Sequence, residues 1–294
     1  MKTAETHGYT EGSVSAGDGI RMYYRDYGDR NTANTPVLCL SGLTRNSKDF
    51  HGLAKWLARE RRVITLDYRG RGQSEYDPVW KNYQPATYVG DVRHLLSALN
   101  LHRVFVIGTS LGGIVAMGMG VAMPGVLAGV LLNDVGPDIS LPGLSIIQRY
   151  MEAEKAFSDW RAVADHLAHF FPDLGFKTPE EWEFVARLSY RQREDGKIVQ
   201  EWDSNLVRPL QNFDPKGIDL WPLFRSLGRV PLVTLRGEKS NILTTETFQH
   251  MIDASPHMIA VTVPDVGHVP SLAEPQSIDA LTGALVHADT TCHP

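Results

Sequence analysis

Gly108, Ser110 and Gly112 in GTSLGG form the pattern G-x-S-x-G directly after the apolar run RVFVIG. On a strand-to-helix turn the flanking glycines leave room for such a serine to expose its hydroxyl above a sheet, with a helix amino end behind it. The hydroxyl could attack a carbonyl carbon if a base took its proton. His268, in PDVGHVPSLAEP, is suited to that task, because an imidazole accepts a proton near neutral pH and returns it to a leaving group. Other histidines fit less well. His94 and His102 flank an expected surface helix, and His166 and His169 stand three residues apart without an acidic partner pattern, so no metal site is read from them. Cys39 in VLCL and Cys292 in TCHP make neither a disulfide framework nor a metal quartet, and point to a reducing compartment.

The surrounding pattern supplies the elements that would hold these residues. GSVSAGDG and IRMYYRDYG predict two antiparallel strands meeting at Gly17, Asp18 and Gly19. From Pro36 onward, short Val/Leu/Ile runs (PVLCL, RRVITLD, RVFVIG, VLAGVLLN) alternate with the amphipathic segments HGLAKWLARE and ATYVGDVRHLLSALN and a helix starting at Leu111. That alternation predicts a parallel sheet covered on both faces. After Gly136 and Pro137 the rhythm changes to helical segments such as LSIIQRYMEAEKAF, WRAVADHLAHF and PEEWEFVARLSY. Strands resume with RVPLVTLRG and HMIAVTVP, followed by the helix PQSIDALTGALVHA. The expected organisation is a core over 1–136 and 229–294 with an all-helical cap over 137–228. Such a cap would cover the carboxyl ends of the strands, where open α/β sheets bind ligands.

In this order SGLTRNSKDF, DYRGRGQS, GTSLGG, LNDVGP, RGEKSNIL and VGHVP resemble the α/β-hydrolase superfamily, specifically its capped esterase, enol-lactonase and carbon-carbon bond hydrolase group. The likeness covers nearly the whole chain and is least specific in the cap. It implies an α/β fold with a mostly parallel, eight-stranded, doubly wound sheet and a helical cap inserted after the sixth strand. Ser110 is then the nucleophile and His268 the base, the backbone N–H groups of Leu43 and Leu111 form an oxyanion hole, and no cofactor or metal is required. Ser41-Gly42 stands where many relatives have His-Gly. Asp67, Arg69, Gly70, Gly72 and Ser74 match a turn motif whose expected roles are backbone geometry and internal ion pairing. A serine, rather than an aspartate, at position 110 argues against dehalogenase or epoxide hydrolase chemistry and for attack on a carbonyl.

The acid is the open position. The resemblance places it after Ser240 in RGEKSNIL, where this chain has Asn241. An amide there has no charge to stabilise an imidazolium and can hold the wrong tautomer; the equivalent exchange in a serine protease costs about 10⁴ in turnover. Asp134 in VLLNDVGP is the preferred substitute, because its strand should lie between the serine strand and the strand leading to Asn241. Glu238, Asp265 and Asn241 itself remain alternatives.

The expected activity is hydrolysis of a carboxylic ester or lactone through a Ser110 acyl-enzyme. Alternatives are a carbon-carbon bond hydrolase of a vinylogous diketone, anchored by Arg187, Arg191 or Arg193, and a binding protein or receptor, for which the missing aspartate at 241 is the support. Leu144, Ile147, Tyr150, Met151, Phe157, Trp160, Phe170 and Phe171 should pack the cap on the core and in part line an apolar pocket, which favours a hydrophobic small-molecule substrate. The 294 residues are 43% hydrophobic and 21% charged, enough for a large core. A net charge of -5 without a Lys/Arg block argues against nucleic acid or a polybasic membrane patch. The start lacks an apolar leader and no 18-residue apolar stretch occurs, so a cytoplasmic protein off the membrane is expected. A homodimer is compatible with this reading.

Overall fold

Strands form where short apolar runs can be buried on both faces. The structure, a computed structural model, describes residues 8–153, 156–211, 213 and 217–290. The starting segment MKTAETH and Cys292 therefore lie outside the described residues. The edge hairpin consists of β1 (Thr10–Ser15) and β2 (Arg21–Tyr27), paired antiparallel. Then follow β3 (Val37–Leu40), α1 (His51–Leu57), β4 (Val63–Leu66), α2 (Pro85–Ala98), β5 (Val104–Thr109), α3 (Leu111–Ala122) and β6 (Leu127–Asn133). All residues of β3, β4, β5 and β6 are buried, as a sheet covered by helices on both sides requires.

After the cap come β10 (Leu232–Gly237), α9 (Thr245–Ala254), β11 (Ile259–Val263) and α10 (Pro275–Thr290). The eight-stranded sheet has the order β1-β2-β4-β3-β5-β6-β10-β11, parallel from β4 to β11. The two-residue side-chain period divides β3 cleanly: Leu38 and Leu40 join the cluster under α2 and α3, whereas Val37 and Cys39 join the one under α1 and α10. Each fully buried aliphatic side chain contributes about 1.5–3 kcal/mol, so these two layers hold the platform.

The insertion between β6 and β10 contains α4 (Leu141–Glu152), β7 (Ala156–Phe157), α5 (Trp160–Phe170), α6 (Pro179–Ser189), β8 (Tyr190–Gln192), β9 (Ile198–Gln200), α7 (Arg208–Gln211) and α8 (Trp221–Arg225). It is not all-helical. A three-stranded antiparallel sheet of order β7-β9-β8 lies within it. The overlooked signal is the Asp195-Gly196 turn, where Gly196 takes φ +81° and Arg193 and Lys197 close the hairpin by a 2.8 Å backbone hydrogen bond.

The cap is fixed to the core by polar contacts. Glu201 accepts from Lys48 and Asn46, the Gly72 N–H donates to the Glu201 carbonyl at 2.7 Å, and the Asp203 N–H donates to the Gly70 carbonyl at 2.7 Å. Tyr150, Met151 and Phe157 are buried in the same apolar cluster as Leu40 and Val106, so these three cap residues serve adhesion.

Arg69 is nearly inaccessible and all five of its N–H groups are engaged: two bonds go to Asp91, two to Asp18 and one to Asp77. Arg69→Leu would leave Asp77 and Asp91 buried without their cation. It is expected to lower the unfolding free energy in urea by about 3–5 kcal/mol; a loss below about 1 kcal/mol would contradict this account of the loop.

Candidate active site

Ser110 stands between β5 and α3 at φ 51° and ψ -114°, a left-handed conformation that few side-chain-bearing residues adopt. Both flanking glycines are required by space. A Cβ on Gly108 would come within 2.5 Å of the Gly112 carbonyl, and one on Gly112 would overlap the Leu40 carbonyl of β3. The turn lifts the Ser110 hydroxyl to 3.0 Å from Nε2 of His268. His268 lies between β11 and α10. Its loop is held by hydrogen bonds from the Lys239 N–H to the Val266 carbonyl and from Asn133 Nδ2 to the Pro270 carbonyl. The Gly267 N–H donates to the Asp173 carbonyl, which seats the cap on this same loop.

Behind the imidazole, Asp134 Oδ2 lies 2.7 Å from His268 Nδ1. Asp134 follows β6 directly, has φ 56° and is wholly buried. Its carboxylate also accepts from the Gly237 N–H at 2.8 Å and from the Ser240 hydroxyl at 2.6 Å. β6 lies between β5 and β10, and so its exit can reach both the histidine and the β10 loop.

The other candidate acids are engaged elsewhere. Glu238 is exposed and accepts from the Asp265 N–H at 2.9 Å; Asp265 is exposed and faces Lys239 at 3.4 Å. Asn241 is also exposed, and its carbonyl accepts from the Ser140 hydroxyl at the start of α4. The loop expected to carry the acid instead supplies two donors to Asp134, from Gly237 and Ser240. Sequence reading missed both, although Ser240 was visible beside Asn241.

Leu111 opens α3, so its N–H points out of a helix amino end beside Ser110. The loop of Leu43 passes close by: the position of a Cβ on Gly42 is 3.8 Å from Ser110 Cβ. Among the described residues neither the Leu43 nor the Leu111 N–H donates to a protein acceptor. The Leu43 carbonyl is gripped at 2.5 Å by Nε of Arg71, a fully buried side chain that also bonds the Arg69 carbonyl and the Tyr88 hydroxyl. Arg71 thus orients the loop without reaching the reacting atoms. The arrangement can transfer a proton from Ser110 to His268, hold the imidazolium against a buried carboxylate, and offer two amides to a developing oxyanion.

The remaining cationic and metal candidates lie away from this point. Arg187, Arg191 and Arg193 are exposed; Arg187 stacks on Trp160 at 4.1 Å and Arg193 pairs with Asp195 at 3.0 Å. His166 packs among Tyr150, Phe157 and Phe170. No grouping of three potential metal ligands occurs among the described residues.

Asp134→Asn is expected to lower aryl-ester turnover by about 10²-fold or more, while Asn241→Ala changes it by less than about threefold. Stopped-flow or steady-state release of p-nitrophenol compares the two. Equal losses would reject the pairing of Asp134 with His268.

Comparison with known proteins agrees with the fold and the order of these elements. The chain is 34% identical over 270 residues to the 3-hydroxybutyrate-oligomer hydrolase of Cupriavidus necator, covering 88% of this chain and 90% of that protein. It is 33% identical over 261 residues to an sn-1-specific diacylglycerol lipase of Danio rerio, covering 87% and 79%. The crystal structure of an α/β hydrolase from Novosphingobium aromaticivorans superposes with a TM-score of 0.89 at 36% identity, over 96% of this chain and 99% of that one. Residues 37–280, which span β3 to α10 and include Ser110, Asp134 and His268, match the model of the Alpha/beta hydrolase family, and the chain belongs to that family.

Proposed function

We propose that this protein is a serine hydrolase of carboxylic esters or lactones. The reading rests on the continuous hydrogen-bonded line from Ser110 Oγ through His268 to Asp134 Oδ2. Nε2 of His268 takes the Ser110 proton as Oγ attacks the ester carbonyl. The carbonyl electron pair moves onto oxygen, which faces the Leu43 and Leu111 amides. Collapse of the tetrahedral species expels the alkoxide, which receives the proton from His268 and leaves as the alcohol, or stays tethered if the substrate is a lactone. Water then repeats the sequence on the acyl-enzyme and releases the acid.

The names of the two relatives support an ester substrate, since hydroxybutyrate oligomers and diacylglycerols are both carboxylic esters. Apolar cap residues that are only partly buried, among them Ile147, Phe170 and Phe171, favour a hydrophobic acyl or lactone part. The carbon-carbon bond alternative would use the same catalytic residues with a cationic anchor in the cap, and the candidate anchors Arg187, Arg191 and Arg193 are exposed. The receptor alternative depended on Asn241, and a carboxylate beside His268 removes that motive.

Ser110→Ala is expected to abolish p-nitrophenyl ester hydrolysis while leaving the circular dichroism spectrum and melting transition intact, and His268→Ala to behave similarly. Intact-protein mass spectrometry of wild type quenched during turnover should show one acyl adduct, located to Ser110. Unchanged turnover in folded Ser110→Ala would overturn the mechanism. Across an acyl series from acetyl to hexanoyl, kcat/KM is expected to rise by about tenfold or more, as apolar discrimination allows; a flat series would remove the hydrophobic-substrate reading.

A further inference from the structure

Asn133 touches or adjoins the supports of Ser110, Asp134 and His268, although no step of ester cleavage uses it. It closes β6 immediately before Asp134 and is 1% exposed. Its backbone carbonyl accepts from the Ser110 N–H at 3.0 Å. Its side-chain Nδ2 donates to the Thr109 hydroxyl at 3.3 Å, one residue before the nucleophile, and to the Pro270 carbonyl at 3.0 Å, two residues after the base. The Pro270 carbonyl can only accept, so it fixes which end of the amide faces it. Both protons of the amide nitrogen are then engaged, whereas Oδ1, also buried, has no donor among the described residues. What the site draws from Asn133 is therefore a pair of donors. An aspartate of the same shape would offer none when ionised, and would set a second buried carboxylate next to Asp134.

Two consecutive residues of a strand ordinarily send their side chains to opposite faces. Asp134 leaves the extended course of β6 at φ 56°, and the side chains of Asn133 and Asp134 both reach the loop that carries His268. Asp134 holds the imidazole itself, through Nδ1. Before His268 the loop is held at Val266 by the Lys239 N–H and at Gly267 by the Asp173 carbonyl. After it, Ser271 and Glu274 bond each other ahead of α10. Among the described residues the bond from Asn133 to Pro270 is the one hydrogen bond that ties this side of the loop to the sheet. A loop held on both sides of His268 keeps the imidazole from swinging with its backbone, and a displacement of about 1 Å at a reacting group can cost about 10²-fold in rate.

We propose that Asn133 is a positioning residue, whose amide clamps the loop at Pro270 and thereby keeps the His268 imidazole in line between Ser110 and Asp134. This rests on the reading of those three residues as a catalytic triad. Asn133 is buried and acts through the histidine.

The test compares wild type with Asn133→Leu, which keeps the branching of the side chain and removes the donors, with Asn133→Ala and with Thr109→Val. In steady-state hydrolysis of p-nitrophenyl esters both Asn133 variants should lose about tenfold or more in kcat with KM within about threefold, since the imidazole moves while the groups that bind substrate do not. Thr109→Val removes only the longer contact and should lose less. Circular dichroism establishes which variants fold, and Asn133→Ala serves if the leucine is not accommodated. A kcat within about threefold of wild type in a folded Asn133 variant would overturn the proposal, as would a loss in Thr109→Val equal to that in the Asn133 variants. In wild type, Asn133 side-chain amide protons that exchange with deuterium as fast as those of an exposed asparagine would overturn it without any variant. The proton on His268 Nδ1 gives a readout that needs no turnover and separates this role from the hydrolase reading. Recorded in Ser110→Ala, its far-downfield nuclear magnetic resonance signal should broaden or move upfield when Asn133→Leu or Asn133→Ala is added. That change supports the positioning role even if no ester is cleaved, and an unchanged signal refutes it even if esters are cleaved.

Discussion

The carboxylate of Asp134 ties together three segments that are far apart in the chain. It extends from the end of β6, meets the His268 loop through Nδ1, and receives the Gly237 amide and the Ser240 hydroxyl from the exit of β10. A fully buried carboxylate is costly unless hydrogen bonds replace its water, and three of them do so here. Ser240 is itself held, since its oxygen accepts from the Ile242 and Leu243 amides. The carboxylate is therefore fixed in direction before any substrate arrives, which is the condition for orienting an imidazole without reorganisation.

The same economy governs the serine side. The left-handed backbone at Ser110 is tolerated because β3, β5 and α3 approach so closely that glycine alone fits at 108 and 112. Parallel strands buried on both faces supply the rigidity. Arg71, packed against Tyr68 and Tyr88, then fixes the Leu43 carbonyl, and Arg69 beside it neutralises three aspartates. The turn motif from Asp67 to Ser74 is thus a brace for the loop over the serine.

Cap and site are mechanically joined. Asn46 donates to the Leu188 carbonyl, Lys48 and Gly72 hold Glu201, and Asp173 receives the Gly267 amide. The loops that carry Leu43 and His268 therefore each touch the insertion. A cap attached in this way can shape the space above Ser110.

Much of this arrangement was legible locally. Near-continuous apolar strands, amphipathic helices and the glycine pattern around Ser110 specify the sheet and the elbow, because they depend on side-chain period and on space near one residue. Which helix or strand the cap contains was less legible: the hairpin at Asp195-Gly196 is short, and it is held by pairing with β7, a distant segment. Only the tertiary structure decided which carboxylate meets His268. Asp134, Glu238, Asp265 and Asn241 are all acceptors on loops at one end of the sheet, and nothing in their local sequence separates them. The order β5-β6-β10 does, by placing the end of β6 between the serine and the β10 loop, where three hydrogen-bond donors meet the Asp134 carboxylate. The approach of the Leu43 loop to Ser110 has the same origin, since proximity across loops follows from packing and not from spacing along the chain.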